Sequence, residues 1–351
     1  MKVKLISGSH NIWGGGQIYL DNMSKELRRQ GIDCEIYSSD DIFPDAIKIN
    51  RIDTWFNKFK NLFIVIREIK KTSKPSDIVI LNDITLSMCS LFFRFFGIKS
   101  ISLVHMSLFN CNRGGWLFKF FYPRLRAKLI NLGSDIIFSV NKENDIILAR
   151  NKTVHVGNFI NNNFNCNILK TDKTIDFLYV GRFDAEKQPE EFVHFVKMIH
   201  DKGESINAAM VGDGILHKEI EDLINSYGLA NIIKLYGFVK HDDIWEIFKL
   251  TKNVVITSRT EGFPTVIIEA ARCGANFISY PLGSIPYIHS KYSIGIIAKD
   301  IDSLVESSLN YIKGTDNQEV SMRLSNFVDD HTSCTFVKKI KPYLYQISSK
   351  N

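Results

Sequence analysis

The residues best equipped for chemistry lie in one segment, Glu261-Gly-Phe-Pro-Thr-Val-Ile-Ile-Glu269. It follows a short β-branched run at 254–257 and leads into an apolar stretch of helical period. Pro264 and Thr265 read as the first positions of that helix, where the missing proline N–H costs nothing. The N–H groups of Phe263, Thr265 and Val266 then point out of a helix start, which is a ready anion site. Glu261 stands just before the helix. Glu269 lies more than one turn inside it, among Val266, Ile267, Ile268, Ala270 and Ala271. A carboxylate in such company has few polar neighbours in sequence, and burying it alone costs several kcal/mol. A pair of ligand hydroxyls, such as a ribose diol, would satisfy it; so would a loop amide.

A second segment, Leu178-Tyr-Val-Gly-Arg-Phe-Asp-Ala-Glu-Lys-Gln188, also joins a strand to a helix. Gly181 lets the chain turn tightly there. Arg182 and Lys187 project from the turn, and two cations at the end of a buried strand suit a diphosphate. Each charge-assisted bond is worth about 1.5–3 kcal/mol. The competing reading is a solvated basic turn. Met210-Val-Gly-Asp-Gly214 and Leu235-Tyr-Gly-Phe-Val239 repeat the strand-then-glycine pattern, and each is a weak signal alone.

The elements that must hold these residues alternate along the chain. Strands are expected at 3–7, 34–37, 78–81, 100–104, 136–139 and 153–156, with helices at 18–30, 56–71, 85–96, 116–132 and 142–150. An Asn-rich stretch, 157–174, lacks apolar period and reads as a linker. A second series places strands at 175–180, 206–211, 232–235, 254–257, 276–279 and 294–296. Its helices are expected at 190–201, 216–227, 242–250, 265–273 and 304–313. The fold class is therefore α/β, two tandem doubly wound parallel-sheet domains of Rossmann type. The carboxyl ends of both sheets are expected to face a cleft, where ligands of such sheets bind.

Taken in chain order, these motifs resemble glycosyltransferase family 4, the retaining enzymes of GT-B architecture. The matching residues begin with Gly14-Gly-Gly-Gln17, His105 at a strand end, Ser139 and Val154-His-Val-Gly-Asn158. They continue with Gly181-Arg182, Lys187, Val211-Gly-Asp-Gly214, Gly237 and the Glu261, Glu269 pair. The resemblance covers essentially the whole chain. It implies that Arg182 and Lys187 hold a donor diphosphate, and that the segment Gly262, Phe263, Pro264, Thr265 and Val266 joins the donor site, the N–H groups after Gly262 adding to the clamp. It implies that Glu269 binds the nucleotide ribose and that Glu261 contacts the donor sugar. Gly15 and Gly16 would let a first-domain loop approach the diphosphate, and His105 would reach the sugar or its phosphate from the acceptor side. The base would lie near Phe238 and Val239. Domains of 1–160 for the acceptor and 170–334 for the donor follow, with a C-terminal helix at 335–351 returning to the first. Two departures stand out. Gln17 replaces the acid usual after the glycines, and Gly283-Ser-Ile-Pro-Tyr287 lacks the acid of the usual Gly-x-x-Glu.

The resemblance further implies sugar transfer from a nucleoside diphosphate, UDP favoured, to a hydroxyl with retention. No cofactor or metal is expected, since Arg182 and Lys187 would neutralise the leaving diphosphate. A nucleotide-sugar epimerase of the same architecture would need a clustered acid/base set. A non-catalytic nucleotide-sugar-binding subunit would not need the intact set of charges. A dehydrogenase is disfavoured, because residues 7–16 give no Gly-x-Gly-x-x-Gly at a strand end.

Composition adds bounds. The chain has 351 residues, 45% of them hydrophobic, enough for two cores without disulfide or metal staples. Cys34, Cys89, Cys111, Cys166, Cys273 and Cys334 are dispersed, which suits a reducing compartment and a cytoplasmic protein. The apolar run at the N-terminus is too short for a signal peptide and reads as a strand. Residues 1–170 hold 24 basic and 14 acidic residues, net +10; the remainder is net −4, and the whole is +6. Between 84 and 134 lie seven basic residues and no acid, interleaved with Phe92, Phe93, Phe95, Phe96, Trp116, Phe118, Phe120, Phe121 and Tyr122. That composition suits an anionic membrane interface and a lipid-linked saccharide acceptor, with 55–63 adding to it. The alternative is that the aromatics are core. No nucleic-acid motif accompanies the charge.

Overall fold

The computed structural model describes residues 1–7, 15–39, 43–49, 58–109, 116–161, 173–314 and 317–349, with backbone alone at 58–60, 116–118, 312–314 and 317–318. Gly14, Cys111, Cys166, most of the Asn-rich stretch and residues 55–57 lie outside them. The chain forms two compact units, Met1–Asn161 with Thr332–Asn351, and Asn162–His331.

In the first unit the order is β1 (Lys2–Ser7), α1 (Gly15–Arg29), β2 (Asp33–Ser38), β3 (Ile47–Lys48), α2 (Lys58–Thr72) and β4 (Ile78–Asn82). Then come α3 (Ile84–Met88), α4 (Ser90–Phe95), β5 (Ser100–Val104), α5 (Trp116–Gly133), β6 (Ile136–Ser139), a 3-10 turn (Lys142–Ile146) and β7 (Thr153–His155). The seven strands form one parallel sheet in the order β3-β2-β1-β4-β5-β6-β7. Its central strands are buried throughout; β4 and β5 have no exposed position. Helices cover both faces, as continuous apolar parallel strands require. Chain order reverses between β1 and β4, whose pairing sets Ser7 beside Asn82 at the carboxyl edge. Lys4 is fully buried on β1 and donates to the hydroxyls of Thr72 and Ser73 at 2.8 and 2.9 Å, pinning the end of α2; burial lowers its pKa.

The second unit runs β8 (Ile175–Val180), α6 (Pro189–Asp201), β9 (Ala208–Val211), α7 (His217–Ser226), β10 (Ile233–Gly237), α8 (Ile244–Lys249) and β11 (Thr251–Ile256). It continues with α9 (Thr265–Arg272), β12 (Asn276–Ser279), α10 (Ile285–Tyr292), β13 (Ile296–Ile297), α11 (Ile301–Gly314) and α12 (Asn317–Asp330). Six parallel strands order as β10-β9-β8-β11-β12-β13, so the reversal falls between β8 and β11. The core is built from Phe177, Phe192, Phe195, Met210 and Val255 with their neighbours. The last helix, α13 (Ser333–Ser348), belongs to the first unit: Ser348 donates to the Ser76 carbonyl at 2.8 Å and Lys99 to the Ser348 carbonyl at 3.0 Å.

Two expected helices are corrected. The helix expected over 85–96 is two, α3 and α4, meeting at Cys89, which ends one and begins the other. The Asp83 carboxylate accepts from the Leu86 N–H at 2.7 Å and fixes where α3 starts. α4 then passes so close to α5 that a Cβ on Gly133 would collide with Ser90 and Leu91. The helix expected over 142–150 is only the 3-10 turn, because the Asn144 side chain is committed to the Leu108 N–H at 2.8 Å and the Met106 carbonyl at 2.9 Å. β3, α10 and α12 have no counterpart in the sequence expectation; β3 spans two residues, too few to show a period.

Candidate functional site

Two loops leave adjacent strands at the reversal in the second unit. One follows β8 and carries Arg182 and Lys187; the other follows β11 and carries Ser258 and Glu261. Several bonds stitch them together. The Arg259 N–H donates to the Glu186 carbonyl at 2.9 Å, and the Thr257 hydroxyl to the carbonyls of Gln188 and Lys187 at 2.8 and 3.2 Å. The buried Tyr179 hydroxyl donates to the Arg182 carbonyl at 3.0 Å from below, and burial raises its pKa. Asp184 accepts from the N–H groups of Glu186 and Lys187 at 3.1 and 3.0 Å, which curls the first loop. Gln188 closes that curl in the left-handed region, φ 46°.

Lys187 and Glu261 are brought together. The ammonium meets Glu261 Oε1 at 2.7 Å, and the Ser258 hydroxyl donates to the same oxygen at 2.7 Å. Only 11% of the Glu261 side chain is exposed, so the pair is largely shielded from water. Arg182 is placed differently. Its guanidinium is 67% exposed and meets Asp184 at 3.0 Å and Glu186 at 3.4 Å, on the rim of the loop.

α9 begins at Thr265, where the helix over 265–273 is expected to start, but Pro264 stands ahead of it rather than in its first turn. Pro264 has extended backbone, φ −65° and ψ 119°, and is the N-cap; Thr265 is the first helical residue. No side chain caps this end. Thr265 and Val266 are the first two helical residues, whose N–H groups precede the first intrahelical bond and remain suited to an anion. Gly262 offers its carbonyl to the Ser284 N–H at 2.9 Å, and Gly283 lies so near Glu261 and Gly262 that a Cβ there would strike their carbonyl oxygens. Phe263 turns inward, buried against His331 with centroids 5.1 Å apart.

Glu269 has a protein partner. His241 Nε2 stands 3.3 Å from its Oε1, and the Glu269 side chain is 13% exposed. The hydrogen bond to Glu269 raises the His241 pKa, against the opposing effect of burial. His241 follows Phe238, which is 75% exposed, and half-buried Val239, so base-side and ribose-side candidates share one loop.

In the first unit, His105 follows β5 and its Nε2 lies 2.6 Å from Asn82 Oδ1. Asn82 in turn donates to the Gly16 carbonyl at 3.4 Å, at the start of α1. Tyr19 sets its ring edge-on to the imidazole at 4.6 Å and donates to the Gly157 carbonyl at 3.3 Å. Gly15 and Gly16 face open space where a Cβ would stand. Although the residue keeps some surface exposure, burial of its surroundings pushes the His105 pKa down to about 4. The ring is neutral near pH 7 and acts there as a hydrogen-bonding group rather than a cation. An unfolded histidine near 6.5 takes up protons the folded one refuses, so stability is full above pH 6.5 and falls as pH drops toward 4. The interval corresponds to about 3 kcal/mol. His105→Gln should flatten that acid slope in urea melts at pH 7 and pH 4.5; an unchanged slope would refute the assignment.

Sequence reasoning missed Asn82, Ser258, Asp184 and His241. Asp184 was legible as Asp-x-x-Lys in a turn and Ser258 as Ser-x-x-Glu in the next loop; Asn82 and His241 meet their partners from elements distant in sequence.

Residues 162–326 match the family model described as Glycosyl transferases group 1. Alpha-D-kanosaminyltransferase of Streptomyces kanamyceticus is 28% identical over 120 residues, 34% of this chain and 31% of that protein. The chain spans between 26% and 45% of the length of the curated relatives it matches. Among solved structures, Anabaena HepE in complex with UDP superposes with a TM-score of 0.75 at 15% identity, over 99% of this chain and 100% of that one. The lipopolysaccharide outer core galactosyltransferase WaaB in apo form gives 0.76 at 17% identity, over 99% of both chains. The fold is thus GT-B, two parallel-sheet α/β domains.

Proposed function

We infer that this chain, whose residues 162–326 match the glycosyl transferases group 1 family, moves a sugar from a nucleoside diphosphate to a hydroxyl acceptor. The observation that carries this reading is the Lys187–Glu261–Ser258 cluster beside the uncapped start of α9. A shielded lysine and two open helical N–H groups form an environment for a diphosphate whose charge grows as the sugar departs. The anomeric C–O bond to the diphosphate breaks, a new C–O bond forms to the acceptor on the same face, and the acceptor proton passes to a diphosphate oxygen. That path gives retention and asks little acid/base chemistry of the protein. Glu261 holds Lys187 and presents its second oxygen to the sugar. Glu269 takes the ribose diol, displacing the long His241 contact, and the base rests by Phe238 and Val239. Arg182 swings from Asp184 onto the outer phosphate. Gly15 and Gly16 leave room for the diphosphate, and His105 serves the sugar or its phosphate from the acceptor side. UDP is the favoured nucleotide, supported by the complexes of Anabaena HepE with UDP and UDP-glucose.

The acceptor is a lipid-linked saccharide of bacterial surface polysaccharide synthesis, and the chain works at the inner face of the cytoplasmic membrane. The exposed aromatics of 84–134 support this. Phe93 is core, but Phe95 is 84% and Phe121 61% exposed, and Arg124 lies 3.7 Å over the Phe120 ring. Residues 110–115 and the side chains of Trp116 and Phe118 lie outside the described residues. Among the described residues no helix is long and apolar enough to cross a membrane.

The test is a screen of UDP- and GDP-sugars against a lipid-linked acceptor pool, read as nucleotide release. It is joined to thermal shifts with UDP on parent and Glu269→Ala. Acceptor-dependent release is expected. A tenfold weaker affinity in the variant should remove about 1.4 kcal/mol of ligand stabilisation at saturating UDP. Equal shifts would sink the ribose assignment; UDP binding without release under any donor would favour a binding subunit.

A further inference from the structure

An open groove of about 440 Å³ runs along α2 beside Phe96, the residue that follows α4, and is lined by Phe63, Ile66, Arg67, Lys70, Lys71 and Phe96. That volume is within the roughly 300–1,000 Å³ of small-molecule sites. Its floor is aromatic: Phe63 meets Phe92 and Phe96 edge-on, with centroids 5.8 and 5.9 Å apart. Its rim is cationic. Arg67, Lys70 and Lys71 are exposed, and none pairs with a carboxylate among the described residues. The Lys70 ammonium stands 5.7 Å over the Phe96 ring.

Position separates this groove from the site above. α2 runs back along the sheet from the carboxyl edge, and the groove uses its later turns, 63–71. Phe96 likewise follows the end of α4, just before β5 begins at Ser100. The groove therefore lies toward the edge where strands start, opposite the edge carrying Asn82 and His105.

Chemistry selects the occupant. All six lining side chains are apolar or cationic. No neutral donor or acceptor is present to read a base or a sugar, and the rings face one another edge-on rather than offering parallel faces. A phosphate needs the cations, and a hydrocarbon chain needs only the aromatic floor. Phe95 continues that apolar surface outward. We propose that this groove binds the phosphate head and adjoining chain of an anionic membrane lipid. The site is independent of the donor reading and goes beyond the α5 surface, since it holds one lipid molecule rather than lying on a bilayer.

The experiment titrates the full chain with dihexanoyl phosphatidylglycerol below its micellar concentration, with dihexanoyl phosphatidylcholine and inorganic phosphate as comparisons. Flotation follows with vesicles of phosphatidylcholine alone or mixed with phosphatidylglycerol. Variants are Arg67→Glu/Lys70→Glu/Lys71→Glu, Phe63→Ser, and Phe121→Ser/Arg124→Glu on α5. Saturable binding of the phosphatidylglycerol is expected, lost by more than about tenfold in the triple variant, given the attraction of each cation to an anionic lipid. Phe63→Ser should weaken it, and the α5 variant should keep it even where its flotation falls. Equal binding by the triple variant overturns the proposal. So does inorganic phosphate binding as tightly as the lipid, or a groove that takes an amphipathic peptide and not the lipid. Loss in the α5 variant alone would move the lipid site to α5.

Discussion

Lys187→Met should lower the rate of sugar transfer by about two to three orders of magnitude, the loss seen when one preorganised group facing transition-state charge is removed. It should also lower stability, because the Glu261 carboxylate, 11% exposed, is left with Ser258 alone. Removing one partner of a shielded pair exposes the cost of the other charge, of the order of 3 kcal/mol for full burial and less here, where the lysine side chain is 26% exposed. The two effects can be separated. Adding Glu261→Gln removes the stranded charge, so Lys187→Met/Glu261→Gln should recover most of the lost melting temperature. Transfer should stay low, since the cation is still missing. Recovery of both together would make Lys187 a structural residue and refute its place at the diphosphate. The sign of the Glu261→Gln single variant is informative too. It frees Lys187, so UDP affinity should hold or rise while turnover falls, because the sugar loses its carboxylate.

Much of this arrangement could be read along the chain, and the unread part has a physical cause. The alternation of buried β-branched runs with amphipathic segments announced two parallel sheets, because strands covered on both faces must be largely apolar, as in Ile78–Leu81 of β4 and Phe177–Val180 of β8. Glu261, Lys187 and the start of α9 were visible as types at strand ends. Their pairing was not: 74 residues separate Lys187 from Glu261, and they meet only because β8 lies beside β11 rather than β9 alone. Glu269 has few polar neighbours in sequence. His241, 28 residues away, supplies a partner through the loop after β10, which no local pattern announces. The break at Cys89 belongs to the same class. Local period favours one helix over 85–96, and the close approach of Gly133 overrides it.

Gly212→Val should cost the second unit about 3 kcal/mol and disable the donor loop at a distance. Gly212 sits just past β9 with φ 143°, a conformation that side chains rarely adopt. A Cβ there would collide with the carbonyl oxygen of Gly181, which is backbone and has nowhere to go. Its own N–H is held by the Gly237 carbonyl at 2.9 Å, and the Gly181 N–H by the Val211 carbonyl at 3.1 Å, so the two turns cannot separate without breaking sheet-end bonds. Strain at such a position costs roughly 1–3 kcal/mol and overpacking about as much again. For a unit of this size that is a fall in melting temperature of about 6–12 °C. Gly203→Ala is the fitting comparison: φ is 84°, but a Cβ meets open space, so backbone strain acts there without collision. It should cost about 1 kcal/mol and leave UDP affinity alone. Any relief available to Gly212→Val pushes Gly181 away, and Arg182 and Lys187 follow it in sequence. UDP binding should therefore weaken even at temperatures where the variant is folded. A Gly212→Val protein that melts early yet binds UDP as the parent does would show that the turn after β8 does not position the diphosphate-binding cations.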